Sequence, residues 1–253
     1  MFKAQQNSAI MHPYDGRRYA IILDGIDDSP NHTNKMDALQ TTDQPGTVSF
    51  WVKFPDTGVK YIWSETVGAS KSVYIQASTS HCKLFIEQTG DSPGITYLNG
   101  SAPDVGVDKW VNWTITWNHT DSIKGYQNGV ECSSYSVQNG DLKSMNFFST
   151  FASFGVWSNY GIATNYSDFT ISEFVVYNKM LNDDEVKIMY NKAEPFDHFD
   201  WRLTPHLKHF CTFGDLANHG SDYIFNQEDG ERNMTTNSST SYPGIEHDPS
   251  NYV

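Results

Sequence analysis

Hydrophobic and polar residues alternate along two segments of the chain, and this alternation predicts β-strands with one buried face. In TVSFWVKF the apolar positions of the shared face are Val48, Phe50, Val52 and Phe54. In KWVNWTITWN they are Val111, Trp113, Ile115 and Trp117. Because successive side chains of a strand point to opposite faces of a sheet, we expect these residues to lie in the core. The intervening residues are expected to face water or a partner.

A series of short segments rich in β-branched and aromatic residues runs from residue 19 to residue 177. Turns that contain Gly, Pro, Asn or Asp separate them, in the order YAIILDG, TVSFWVKF, KYIWSE, SVYIQAS, KLFIEQ, ITYLNG, KWVNWTITWN, GYQNGVEC, NFFSTFASFGVW and FTISEFVVY. Short, evenly spaced strands of this kind predict a β-sandwich or barrel rather than a parallel α/β sheet.

The segment at residues 168–192, DFTISEFVVYNKMLNDDEVKIMYNK, runs from a strand pattern directly into the start signal of a helix. Asn182 can cap the helix, and Glu185 three positions later can accept a hydrogen bond from the N–H of the cap residue. Leu181 and Val186 can pack together as a hydrophobic staple. We expect one short helix that lies on a sheet, because it is too short to be stable alone.

Several of these segments occur in an order that is typical of a known family. They are YAIILDGIDDSPN, TVSFWVKF, KWVNWTITWNHT, GYQNGVE and ISEFVVYNKMLNDDEVKIMYN. The series resembles the concanavalin A-like, laminin-G-like jelly roll. The resemblance implies an all-β fold, an antiparallel two-sheet jelly-roll sandwich over residues 19–192 with one short closing helix and an extended C-terminal tail. Residues 1–18 would then be an N-terminal arm.

Residues 193–253 form a C-terminal extension that is first aromatic and proline-broken and then polar. It resembles the extension after this domain in structural proteins of tailed bacteriophages, marine ones especially, although FCTFGD stands where those proteins have a Trp-Trp-Arg form. Its polar part has too little apolar content to fold alone. We therefore expect it to lie along the jelly roll or a neighbouring chain as an assembly element. The predicted anchors are Tyr223, Ile224, Phe225, Tyr242 and Ile245.

The charge of the chain argues against some classes of binding partner, and its cysteine content argues against a disulfide-rich fold. The chain has 253 residues and a formal charge of −13, which argues against nucleic acid and against an anionic membrane surface. Its cysteines, Cys82, Cys132 and Cys211, are too few and too far apart for a disulfide framework. The first 18 residues lack the apolar segment of a secretion signal, so we expect a protein that is made inside a cell.

Catalysis is tested by looking for the carboxylate pair of the glucanases that share this fold. Those enzymes resemble one another in a strand that carries two inward carboxylates at alternate positions. Here Glu173 has no carboxylate two residues away, and no nucleophile elbow, P-loop or zinc-protease motif occurs in the sequence. We interpret Glu173 as an ion-paired structural carboxylate and predict a protein that is not an enzyme.

Two groups of residues have some likeness to metal ligands. Members of the family often bind calcium, and DGIDD supplies candidate ligands in Asp24, Asp27 and Asp28, although early aspartates also form turns with their own backbone. The residues His206, His209 and Cys211 do not have the spacing of a standard zinc site. No cofactor is predicted, and calcium stays open as an alternative.

Aromatic residues outside the clean core pattern are the candidates for sugar contact, because aromatic faces stack on the C–H surfaces of sugars. Turn residues surround most of them, and loops at a sandwich rim commonly carry binding sites. The candidates are Trp63, Trp157, Asn159 and Tyr160. The alternative is that these rings pack beneath the tail or against another subunit.

The first hypothesis is a non-enzymatic virion structural protein, a decoration, head-fibre or tail-associated subunit made in the host cytoplasm. Its partners would be other virion proteins or copies of itself, with weak multivalent binding to cell-surface or environmental glycans. The second hypothesis is a free-standing carbohydrate-binding lectin that uses calcium, and the third is a glycan hydrolase with an unrecognised site. Fold alone does not choose among these functions.

Overall fold

A computed structural model shows two antiparallel β-sheets, and residues of both contribute to one buried core. It describes residues 20–26, 30–32, 45–67, 71–88, 95–118, 122–138, 152–159, 162–193, 204–211, 223–225, 233–236 and 244–246. The predicted all-β sandwich with one short closing helix is confirmed.

The first sheet, sheet A, has its strands in a spatial order that mixes early and late parts of the chain. This order is β10 (Val130–Glu131), β9 (Ile123–Gln127), β8 (Trp110–Trp117), β3 (Gly46–Lys53), β15 (Asp168–Tyr177), β1 (Ala20–Asp24) and β19 (Gly244–Glu246). A further strand, β16 (Leu207–Cys211), pairs with the second half of β15, beyond the part that pairs with β1.

The second sheet, sheet B, forms the opposite layer. Its strands lie in the order β11 (Ser134–Gln138), β7 (Ile95–Ser101), β6 (His81–Gln88), β5 (Lys71–Ala77), β4 (Lys60–Val67), β12 (Ala152–Phe154), β2 (Pro30–His32), β18 (Asn233–Thr236) and β17 (Tyr223–Phe225). A separate hairpin pairs β13 (Val156–Asn159) with β14 (Ile162–Tyr166).

The core between the two sheets contains the residues that the alternation predicts. All eight apolar positions of the two patterned strands are buried in one cluster, which also holds residues of sheet B such as Ile75, Leu84 and Phe154. Trp113 lies in this cluster, and its indole N–H donates to the carbonyl of Ser78 at 3.1 Å. The core also buries Cys82 and Cys132 as free thiols, and burial raises the pKa of both.

The opposite face of sheet A is also buried, which corrects the expectation that it faces water or a partner. The residues concerned are Thr47, Ser49, Trp51, Asn112, Thr114 and Thr116. The chain itself covers them with its closing segment. Thr47 Oγ1 donates to the carbonyl of Lys179 at 2.7 Å and accepts from the N–H of Leu181 at 3.0 Å. The Trp51 ring stacks on Tyr190, with 5.6 Å between the ring centroids.

A hydrogen-bonded network allows polar residues to be buried on this face. Ser49 Oγ and Thr114 Oγ1 are 2.8 Å apart, and Asn112 Nδ2 donates to Ser49 Oγ at 3.1 Å and to the Phe50 carbonyl at 3.2 Å. A buried polar group is costly unless it is hydrogen-bonded, and these side chains satisfy one another.

The closing helix α1 (Asp183–Tyr190) starts with the predicted capping box. Asn182 Oδ1 accepts from the N–H groups of Asp184 and Glu185, and Glu185 Oε2 accepts from the N–H of Asn182. The apolar side of the helix then packs on the outer face of sheet A. A second buried cluster there contains Tyr126, Val175, Tyr177, Leu181, Val186, Met189 and Leu207.

The N-terminus of α1 is also held by charge. Asp183 Oδ1 accepts from Tyr126 Oη at 2.8 Å and from Lys124 Nζ at 3.1 Å, and Lys124 also pairs with Glu131 at 3.0 Å. The hydrogen bonds from Tyr126 and Lys124 lower the pKa of Asp183. A lowered carboxyl pKa means that the ionised form is favoured in the folded state.

We expect Asp183→Asn to lower the free energy of unfolding at neutral pH by less than about 1 kcal/mol, since the carboxylate is half exposed. The contribution of Asp183 is present above the unfolded-state pKa of about 3.9 and is lost as the pH falls through its lower folded-state pKa. Urea unfolding at pH 7 and at pH 3 measures this difference. Asp184→Asn, which removes a charge from the same helix turn, is the control. A wild-type-to-variant difference that is as large at pH 3 as at pH 7 would contradict the assignment.

A β-bulge in β15 sets the position of Glu173. The register of β15 against β3 shifts between Ser172 and Val175, and Glu173 has a positive φ of 50°. Ile171 and Phe174 therefore both lie in the core, while Val175 lies on the outer face with Tyr177. The bulge inserts an extra residue between the two alternating runs, so Glu173 and Val175 do not share one regular face of the strand.

The C-terminal extension adds strands to both sheets. β16 lies against β15, and Leu207 at its start is buried in the cluster beneath α1. Further along the chain, β18 pairs with β2, and β19 pairs with β1 so that Ile245 stands opposite Ile21. Tyr223, Ile224 and Phe225 form β17, and Tyr242 lies outside the described residues. The division at residue 192 and the role of these anchors in assembly stay predictions.

Candidate functional site

The outer face of sheet B differs from that of sheet A because partly exposed aromatic side chains line it. In β5 and β6, Ile75 and Leu84 are buried in the core, and their neighbours on the opposite face are partly exposed. The register pairs Tyr74 with Phe85 and Gln76 with Lys83. Aromatic side chains in such positions can present apolar surface to a ligand.

Four partly exposed rings follow one another across this face and its rim, and we call them the aromatic row. Its members are Trp157, Tyr61, Tyr74 and Phe85. The Trp157 and Tyr61 rings stack at 6.1 Å between centroids, Tyr61 and Tyr74 meet edge to face at 5.5 Å, and Tyr74 and Phe85 stack at 4.5 Å. Contacts between rings fix their orientations, so the row is a preorganised surface.

A lysine lies beside the row. The Nζ atom of Lys83 is 5.5 Å from the centroid of Tyr74 and 5.1 Å from that of Phe85, within the range of cation–π attraction. The same atom is 3.5 Å from the hydroxyl oxygen of Tyr74. Gln76, opposite Lys83 in the register, supplies an amide on the same face. The surface thus combines apolar rings with hydrogen-bonding groups and one positive charge.

The hairpin of β13 and β14 positions Trp157 at the end of the row. The chain leaves β12 and turns at Gly155, which has a φ of 72° and whose N–H donates to the carbonyl of Ile62 at 3.2 Å. Ser167, after the hairpin, donates its N–H to the Gly155 carbonyl at 2.7 Å and accepts from the N–H of Tyr61 at 3.0 Å. These bonds hold the hairpin against β4, so Trp157 and Tyr61 remain in contact.

An ion-paired group lies next to Tyr61 at the start of β4. Lys60 Nζ contacts Asp168 Oδ1 at 2.5 Å and Asp56 Oδ2 at 2.8 Å. Burial would lower the pKa of Lys60, but the hydrogen bonds to the two carboxylates outweigh it and raise this pKa. The hydrogen bonds from Lys60 and from the Gly58 N–H lower the pKa of Asp56. Burial raises the pKa of Tyr61, which keeps its hydroxyl protonated.

The sequence candidates for sugar contact fall in different places. Trp157 belongs to the aromatic row, and Asn159 ends β13. Tyr160 lies outside the described residues. Trp63 is 0% exposed in the core, because the register of β4 shifts between Tyr61 and Trp63 and turns both Ile62 and Trp63 inward. Its ring is therefore not part of the exposed surface.

Sequence reasoning missed Tyr61, Tyr74 and Phe85, although a signal for two of them is present. In SVYIQAS and KLFIEQ, the aliphatic residues Ile75 and Leu84 alternate with a large ring on one side. Once the aliphatic residues are assigned to the core, Tyr74 and Phe85 must lie on the opposite face. The pairing of β5 with β6 then brings the two rings together.

One of the calcium candidates, Asp24, has a turn-forming role in the structure. Asp24 Oδ1 accepts from the N–H of Ile26 at 2.8 Å, which is the turn-forming role considered as the alternative to calcium binding. Asp27 and Asp28 lie outside the described residues. Within the described part of the chain, no group of three or more His, Cys, Asp and Glu side chains could hold a metal ion. The calcium hypothesis stays a prediction.

The carboxylate considered for catalysis and the residues of the zinc-like group lie in other parts of the fold. Glu173 is 4% exposed in the bulge of β15. His206 Nδ1 lies 3.4 Å from Asn178 Oδ1, while His209 and Cys211 are in β16 beside β15. Among the residues that the structure describes, no helix is both long enough and apolar enough to span a bilayer.

Comparison with known proteins finds a matching family model and solved structures with a similar fold. A family model described as the concanavalin A-like lectin/glucanases superfamily matches residues 27–187. A candidate carbohydrate-binding protein from Bacteroides ovatus ATCC 8483 superposes with a TM-score of 0.59 at 14% identity. The superposition covers 91% of this chain, and the chain spans 60% of the length of that protein.

A second solved structure with the same fold is the native heptameric SAP-like pentraxin of Limulus polyphemus. It superposes with a TM-score of 0.50 at 16% identity, covering 70% of this chain and 83% of the pentraxin. At these identities the likeness to both structures establishes the fold alone. Comparison with curated protein sequences gives no match.

Proposed function

The chain belongs to the concanavalin A-like lectin/glucanase superfamily, and from this premise we propose that it is a non-enzymatic protein that binds carbohydrate through the aromatic row of sheet B. The observation that carries the proposal is the difference between the two outer faces. Helix α1 packs on the face of sheet A and buries it, whereas the rings on sheet B remain partly exposed.

The chemistry of the aromatic row suits a sugar. A pyranose presents C–H groups on its faces and hydroxyl groups around its edge, so it needs apolar surface and hydrogen-bonding groups side by side. The apolar surface comes from the four rings of the aromatic row. The hydrogen-bonding groups are the Tyr74 hydroxyl and the Gln76 amide. A few polar groups on a mostly apolar surface are also the general composition of ligand sites.

The positions of three carboxylates support a binding role rather than a hydrolytic one. A retaining or inverting glycosidase needs two carboxyl groups that flank the scissile bond. Glu173 is buried in the bulge of β15, and Asp56 and Asp168 are both engaged by Lys60. None of these carboxylates lies in the aromatic row, which supports recognition without turnover.

Within this general function, we propose the more specific role of a virion structural subunit in a tailed bacteriophage. The resemblance of the C-terminal extension to phage structural proteins supports it. Partners would be other virion proteins or copies of this chain. Many copies on one particle would raise a weak glycan affinity by roughly 100-fold or more through avidity. A free-standing lectin is the alternative.

We expect Tyr74→Ala to lower glycan affinity by about tenfold, because it removes the ring that contacts both Tyr61 and Phe85. A glycan array identifies a ligand for the wild-type protein, and titration calorimetry then compares the variants with it. The glycans should be recovered uncleaved after incubation.

The matched control for this experiment is Tyr190→Ala, which removes a ring of helix α1 that stacks on Trp51 of sheet A. It should leave affinity unchanged even if it lowers the melting temperature. Wild-type protein that binds no glycan, or Tyr74→Ala protein that binds as well as wild type, would overturn the proposed function.

A further inference from the structure

We infer that the ligand of the aromatic row is an extended oligosaccharide whose successive sugars bind along the row, rather than a single terminal sugar. This inference rests on the proposed function and deepens it by naming the length and shape of the ligand. The geometry that points to it is the linear order of the four rings on strands that lie side by side, β13, β4, β5 and β6.

The row is longer than one sugar. The centroids of successive rings are 6.1 Å, 5.5 Å and 4.5 Å apart, from Trp157 through Tyr61 and Tyr74 to Phe85. Each of these steps is close to the length of one pyranose residue in an extended chain. A single sugar therefore contacts two neighbouring rings at most and leaves the others exposed to water.

The row runs across the strands rather than along one of them. The register places Tyr61 of β4 opposite Gln76 of β5, and it places Tyr74 of β5 opposite Phe85 of β6. Neighbouring strands of a sheet are about 4.8 Å apart. Each strand thus adds one ring in the same direction, so a chain that crosses the strands meets one ring after another.

The orientations of the rings divide the row into two pairs. The planes of Trp157 and Tyr61 differ by 15°, and those of Tyr74 and Phe85 differ by 14°. Between the two pairs, the planes of Tyr61 and Tyr74 differ by 68°. One sugar has a single mean plane, so it cannot lie parallel to the rings of both pairs. Linked sugars can, because rotation about the glycosidic bond sets the second sugar at an angle to the first.

Linkage between the sugars also favours this mode of binding. Once one sugar is bound, the next is held near its own pair of rings, so its contact adds affinity without a second full loss of translational freedom. The partly exposed Gln76 stands opposite Tyr61 in the register and supplies an amide for the hydroxyl groups at the edge of the chain.

The test uses the full-length protein and ladders of oligosaccharides from one to six residues, prepared by partial hydrolysis of β-1,3-glucan, agarose and alginate. We expect affinity within at least one ladder to rise by about tenfold or more beyond the disaccharide and to level off once the chain covers the row. Titration calorimetry measures the affinity for each member of a ladder.

Variants at the two ends of the row separate the loss of one contact from a loss of folding. Trp157→Ala and Phe85→Ala should each lower affinity for the hexasaccharide about tenfold and for the disaccharide clearly less, because a disaccharide still has the other pair of rings. A folding defect would lower both affinities by the same factor, so the ratio of the two affinities is the readout. Trp157→Phe keeps a ring and should retain most of the wild-type ratio.

The matched control is Tyr190→Ala, which removes the ring of α1 that stacks on Trp51 of sheet A. It should retain the wild-type ratio in full. A change of this ratio in the control as large as in the end variants would overturn the inference.

The other outcomes distinguish this inference from the proposed function. Affinity that does not increase beyond the disaccharide in any ladder, or equal losses for disaccharide and hexasaccharide in both end variants, would overturn the inference while carbohydrate binding stands. Binding of array glycans through single terminal sugars, with no ladder bound, would do the same. Binding of no ladder and of no array glycan by the wild-type protein would overturn both.

Discussion

Phe174→Ala is expected to lower the free energy of unfolding by about 3–5 kcal/mol, the largest effect of a single substitution proposed for this protein. Phe174 is fully buried and contacts rings of both sheets: Phe50 at 6.1 Å, Trp63 at 6.1 Å and Phe154 at 4.9 Å between centroids. Alanine would leave a cavity that these large rings cannot fill without moving. Chemical denaturation at neutral pH measures the change.

Two further variants check the cause of this loss. Phe174→Leu keeps most of the volume and should cost clearly less than alanine. Phe85→Ala removes the same side chain from a partly exposed position, so it should cost about 1 kcal/mol or less. A similar loss for Phe174→Ala and Phe85→Ala would contradict the assignment of Phe174 to the centre of the core.

Deletion of residues 215–253 is expected to reduce assembly sharply while the remaining chain still unfolds cooperatively. The described members of the buried clusters extend no further along the chain than Leu207. The deletion removes β18 and β19, which pair with β2 and β1, and β17, which pairs with β18. Thermal unfolding tests the fold, and light scattering and incorporation into particles test assembly.

A shorter deletion of residues 247–253 keeps β19 and is the matched control, which should assemble like the full chain. If the protein without residues 215–253 assembles as well as the full chain, the extension has no assembly role. If that protein fails to fold, the extension belongs to the core and the proposed boundary at residue 192 is wrong.

The parts of the fold that follow from local sequence were predictable. The alternation in β3 and β8 identified their core faces, because a strand has a period of two residues. The helix start could be read from Asn182 and Glu185, because a capping box depends only on residues that are close in the chain. The strand alternation and the capping box can both be read without knowing which other elements pack against them.

The features that the sequence did not predict arise where a bulge interrupts the two-residue alternation of a strand, or where the fold brings together residues that are distant in the chain. Bulges at Trp63 and Glu173 break the alternation, and no local signal marked either position. The buried polar face of β3 depends on a helix far along the sequence. The aromatic row likewise joins Tyr61 to Trp157 through the hairpin after β12, so only its members in adjacent strands could be paired from the pattern.

The pairing of early and late strands in sheet A has a consequence for synthesis on the ribosome. β3 pairs with β15, and Thr47 in β3 also accepts a hydrogen bond from the N–H of Leu181, 134 residues later. At about 5–20 residues per second, a nascent chain waits on the order of ten seconds before these partners emerge. During that time β3 lacks β15, one of its two neighbours in the sheet. Yield in a host cell should therefore depend on chaperones that bind nascent chains.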